Sequence, residues 1–81
     1  MFINKSKDGK NNICGEKVTE LRTKLGISQR KLADRLQILG LDVDKNAIQR
    51  IEAGKRFVTD IELCYLCKVF EVDYSALLPE I

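Results

Sequence analysis

The 81-residue chain contains no histidine, one proline, five glycines and three cysteines. The missing histidine excludes the most chemistry. It rules out any Cys–His pairing for nucleophilic catalysis, and three cysteines cannot complete a structural zinc site that takes four Cys or His ligands. The glycines are scattered, so no Gly-rich loop is available to cradle a phosphate, and nothing resembles an active site. No enzyme activity, cofactor, metal or small-molecule substrate is expected. No apolar run approaches the roughly 18 residues needed to span a bilayer, so no membrane partner is expected. Met1 to Ile13 lacks the hydrophobic segment of a secretory signal. An odd number of cysteines with no dense pattern fits free thiols in a reducing compartment, and the expected location is cytoplasmic. No stretch shows the period-two alternation of a strand, which leaves an all-α chain of one domain.

What the chain does have is helical punctuation. Met1 to Asn11 mixes Lys, Asn, Ser and Gly without periodicity and reads as a flexible N-terminal tail, residues 1–11, carrying Lys5, Lys7 and Lys10. Residues 12–81 form the domain. A first helix is expected from about Asn12 to Leu25, with Cys14, Val18, Leu21 and Leu25 on one face and Gly26 as its stop. Ser28 can cap a second helix whose Leu32, Ala33, Leu36 and Leu39 share a face and which Gly40 ends. Asp44 can cap a third, which turns Ala47, Ile48 and Ile51 inward and Asn46, Gln49, Arg50 and Ala53 outward, with Lys55 and Arg56 at its exit. Thr59-Asp60-Ile61-Glu62 is a capping box for a fourth helix to about Phe70, and Asp73 can cap a last turn from Tyr74 to Leu78 before Pro79. The fourth helix buries Leu63, Leu66, Cys67 and Phe70. It keeps Ile61, Cys64, Tyr65 and Val69 on a second apolar face, which asks for a cover. Cys64-x-x-Cys67 lies in mid-helix, where buried apolar thiols are expected rather than a redox pair.

The outward face of the third helix holds amides and one guanidinium, groups that can make paired hydrogen bonds to base edges from a helix in a major groove. Charge is divided along the chain. Residues 1–56 hold 13 Lys/Arg against 7 Asp/Glu, a net of +6, and residues 57–81 hold 1 against 5, a net of −4. A polyanion would meet the first part. Solvated helices carry mixed charge equally well, so charge alone decides nothing.

Three motifs in order, L-R-x-x-x-G-I-S-Q-x-x-L-A (Leu21 to Ala33), I-x-R-I-E-x-G-K-R (Ile48 to Arg56) and V-D-Y-S-A-L-L (Val72 to Leu78), resemble the Cro/cI-type, XRE-like (lambda-repressor-like) helix-turn-helix family. The resemblance covers about Ile13 to Leu78. It departs in one place: the segment between Leu36 and Asp44 is several residues longer than the family's usual turn. The resemblance implies a compact five-helix bundle that binds double-stranded DNA as a homodimer and regulates transcription, most often as a repressor. It also implies base reading by Lys45, Asn46, Ala47, Gln49 and Arg50, on the helix around residues 45–53. Phosphate contacts would come from Gln29, Arg30, Lys55 and Arg56, and an ion pair between Arg22 and Glu52 would tie the first and third helices. Two alternatives remain open at this stage: a protein-interaction module or antitoxin built on the same bundle, and a non-specific nucleic-acid binder.

Overall fold

The computed structural model describes residues 5–80. Four α-helices follow in order: α1, Gly15–Leu25; α2, Gln29–Leu39; α3, Lys45–Glu52; and α4, Asp60–Phe70. A single 3-10 turn, Tyr74–Ala76, closes the bundle.

Local chemistry sets most of the helix starts. The Ser28 hydroxyl accepts from the Lys31 amide, an Asp44 carboxylate oxygen accepts from the Ala47 amide at 2.8 Å, and Thr59 and Glu62 form a reciprocal capping box. The start of α1 differs from the expectation. It begins at Gly15 rather than Asn12, because the Asn12 side chain accepts from the Gly15 amide and stays outside the helix. The fifth helix is also corrected. The final element is one turn of 3-10 helix, since Asp73 makes no side-chain cap and Pro79 has no amide with which to continue it. Leu77 nevertheless inserts fully into the core.

The core draws on every element: Cys14 and Val18, then Leu32, Ala33 and Leu36, then Val43, Ile48 and Ile51, then Leu66 and Phe70, and finally Leu77. Leu25, expected on the inner face of α1, is exposed, because α1 ends there and Ile27 takes the place against the core. Leu39 is half-buried. Gly15 is required by close approach: a Cβ there would run into the Ile51 carbonyl oxygen, where the start of α1 abuts the end of α3.

The long segment after Leu36 is divided between helix and link. α2 runs on to Leu39, and Gly40, with a left-handed φ of 112°, turns the chain. Val43 is then buried, and the Gln37 side-chain amide donates to the Val43 carbonyl at 2.7 Å. The link from Gly40 to Asp44 is thus pinned at its centre, and α3 starts at Lys45 behind its Asp44 cap.

Of the segment expected as a tail, residues 1–4 lie outside the described residues. Residues 5–11 form a closed turn, in which the Ser6 amide donates to the Lys10 carbonyl and the Lys10 amide to the Ser6 hydroxyl. The Asn11 amide then donates to the Gly54 carbonyl at 2.8 Å.

Candidate nucleic-acid interface

α3 is only eight residues long, too short to persist alone in water, so its packing holds it. Ile48 and Ile51 are buried beneath it, and the opposite face is open. Asn46, Gln49, Arg50, Ala53 and Lys55 line one shallow groove of about 410 Å³ on that open face. Lys45 stands exposed at the first turn of the helix. Ala47 is placed differently from the other base-reading candidates: it is half-buried and packs on the core.

The last turn of α3 is anchored by Glu52. Its carboxylate accepts from Arg22 Nε at 2.7 Å and Nη2 at 3.2 Å, a bidentate pair, and from Gln29 Nε2 at 3.0 Å. Arg22 Nη1 donates in turn to the Ile27 carbonyl. The side chains are 18% and 7% exposed for Arg22 and Glu52, so this pair is largely withdrawn from solvent. The hydrogen bond to Glu52 raises the Arg22 pKa further above its ordinary value. One carboxylate therefore joins the end of α1, the first residue of α2 and the last residue of α3. The Gln29 amide nitrogen is committed to this network. The backbone amides of Gln29 and Arg30, in the unpaired first turn of α2, remain available for an anion. The Arg30 side chain is exposed.

Lys55 and Arg56, adjacent in sequence, do different work. Lys55 is exposed and lines the groove. Arg56 Nη2 donates to Glu62 Oε2 at 2.7 Å, and its Nη1 donates to the Phe57 carbonyl. Its charge is already matched within the fold. The Arg56 hydrogen bond is the main cause of a Glu62 pKa below the ordinary 4.5, opposed by burial and helped by the Thr59 amide. A carboxylate with a depressed folded pKa stabilises the fold above its unfolded value, and that contribution is lost as pH falls through the folded value. Glu62→Gln, which can still complete the capping box, is expected to cost about 1 kcal/mol at pH 7. The gap from the parent protein should narrow as pH falls below the ordinary carboxylate range and through the depressed folded value. Urea unfolding at pH 7 and pH 3 checks this, and an equal gap at both would contradict it.

The cysteines depart from expectation in part. Cys14 is buried, and burial pushes its thiol pKa up, but Cys67 is only half-buried and Cys64 is exposed, its sulfur against the Tyr74 hydroxyl. Cys67 shares the inner stripe of α4 and packs on the core, whereas Cys64 lies on the second face. Among the described residues no group of three or more cysteine or carboxylate side chains is placed to hold a metal ion. None of the described helices is long and apolar enough to cross a membrane.

Sequence reasoning missed Asn11 and Asn12, which bond to carbonyls 39 to 44 residues away. Only their position beside the start of α1 was legible.

An eight-residue helix with an open polar face, locked through Glu52 to the start of the preceding helix and followed by an exposed lysine, is the arrangement of a helix-turn-helix domain. The helix-turn-helix family model HTH_3 matches residues 18–77, and the chain belongs to that family, of the Cro/cI, XRE-like type. Among solved structures it is similar to the restriction-modification controller protein C.AhdI from Aeromonas hydrophila, with 26% identity, a TM-score of 0.68, and 79% of this chain and 86% of that one covered. It is also similar to the DNA-binding domain of BldD, with 26% identity, a TM-score of 0.72, and 91% and 99% covered. No curated protein matches the sequence. Family and structural neighbours together make the chain a DNA-binding regulator of transcription.

Proposed function

We propose that the protein is a sequence-specific regulator, acting as a repressor, that reads the major groove with α3. The observation that carries this reading is the shared groove. Asn46, Gln49 and Arg50, which can hydrogen-bond base edges, lie on one open face with Lys55, which can neutralise a phosphate. The buried Ile48 and Ile51 and the Glu52 network hold that face rigid relative to the first turn of α2, where the Gln29 and Arg30 amides meet the backbone. Lys45, exposed at the first turn, adds a further base-reading side chain. Arg56, paired with Glu62, serves the fold more than the phosphate.

The protein binds as a homodimer through the C-terminal part, residues 57–81, which carries the net −4. Ile61, Cys64, Tyr74 and Leu78 are exposed and supply the contact. Tyr65, another candidate, is half-buried and packs on its own core. A domain of residues 12–81, with the turn of residues 5–11 bonded to its α3 exit, and action in the cytoplasm accompany this reading.

Selection of bound duplexes from random DNA tests it. The expected result is an enriched palindrome with half-sites about 10 base pairs, or a multiple, apart, bound by two chains in sedimentation. No enrichment over bulk DNA would favour the non-specific binder or the protein-interaction module. A one-to-one complex on a non-palindromic site would remove the dimer.

A further inference from the structure

We infer that Asn11 and Asn12 are positioning residues for the DNA-binding face, fixing the exit of α3 and with it Lys55. The inference rests on the reading of Lys55 as a phosphate contact. After Gly54, whose left-handed φ of 75° ends α3, the chain runs without regular structure to the Thr59 cap. Such a stretch has carbonyls without helical partners and no helix of its own to hold a side chain in register.

Here four carbonyls around the exit, those of Ile51, Gly54, Lys55 and Arg56, each accept a hydrogen bond from one dipeptide. The Asn12 side-chain nitrogen donates to the Ile51 carbonyl at 3.1 Å and to the Arg56 carbonyl at 2.8 Å, so both of its hydrogens are used. Its oxygen accepts from the Gly15 amide at 2.9 Å, which fixes the amide orientation, since a flipped group would face two carbonyls with its oxygen. Asn11 brackets the lysine directly: its backbone amide donates to the Gly54 carbonyl, and its side-chain nitrogen to the Lys55 carbonyl at 3.0 Å. The methylenes of Lys10 lie over Gly54, and the Ser6–Lys10 turn closes the strap behind them. These contacts use only the backbone of the exit. The Lys55 side chain and the groove it lines stay free.

The physical consequence is preorganisation. An unheld exit must surrender backbone freedom when its lysine meets a phosphate, whereas a strapped one has surrendered it on folding. Ordering one or two residues in advance is worth about tenfold in affinity. Because the strap acts through Lys55, this gain should disappear when Lys55 is absent.

A double-mutant cycle on DNA affinity tests the inference. The strap variant is Asn11→Ala with Asn12→Ser, which changes no charge; serine can still accept from the Gly15 amide but is too short to reach the Ile51 and Arg56 carbonyls. Affinity for the duplex enriched from random sequence, and for a random-sequence duplex, is measured against salt in the Lys55 and Lys55→Ala backgrounds, with helicity checked by circular dichroism. With Lys55 present, the strap variant should bind both duplexes about tenfold more weakly, and the slope of log affinity against log salt should shrink by up to about 1. In the Lys55→Ala background the same change should alter affinity by less than about twofold. Asn11→Ala alone keeps every Asn12 bond and serves if the double variant does not fold; it should show a smaller loss of the same kind, again absent without Lys55. Equal losses in both backgrounds, or no loss with Lys55 present, would overturn the strap while leaving the phosphate contact in place. Parent-like binding by Lys55→Ala would instead remove the phosphate contact itself, and the strap's role with it.

Discussion

Glu52→Ala is expected to destabilise the fold by about 3 kcal/mol, the low end for breaking a largely buried pair, because Arg22 keeps its bond to the Ile27 carbonyl. The cost has a specific origin. The substitution leaves two guanidinium nitrogens and the Gln29 amide without their acceptor at a site where the Glu52 side chain is only 7% exposed. In a domain of this size the melting temperature should fall by more than about 10 °C. Glu52→Gln, which keeps the shape and one acceptor, should lose less. An unchanged urea midpoint in Glu52→Ala would show that the three helices are not tied at this carboxylate.

The same residue shows what the sequence made legible and what it did not. The caps at Ser28, Asp44 and Thr59 were readable, because each partner lies within three residues and the chemistry is local. The buried stripes Leu32–Ala33–Leu36 and Ile48–Ile51 followed from helical spacing for the same reason. Contacts between distant segments left no such trace. That Gln29 would bond Glu52, that Arg56 would be drawn to Glu62, and that Asn12 would bridge two carbonyls of the α3 exit all depend on how the helices pack. Leu25 illustrates the reverse error: it falls on the inner stripe by spacing, yet α1 ends there and Ile27 packs on the core in its place. The last turn is shorter than expected because three residues ahead of a proline can anchor Leu77 without building an α-helix.

α3 is expected to read bases and not merely to adhere. Gln49 and Arg50 are both exposed, share the groove with Asn46, and lie on a helix whose start is fixed by Asp44 despite the longer link before it. If each touches a base edge, its removal should cost about 1–3 kcal/mol on the enriched site and much less on random DNA. The most direct measurement is therefore to profile the parent, Gln49→Ala and Arg50→Ala against the same library of site variants at one salt concentration. The account predicts that each variant loses its preference at one or two base positions, symmetric about the site's centre, while the remaining positions keep theirs. Identical base preferences in all three proteins would contradict it, and would mean that this helix does not read the sequence.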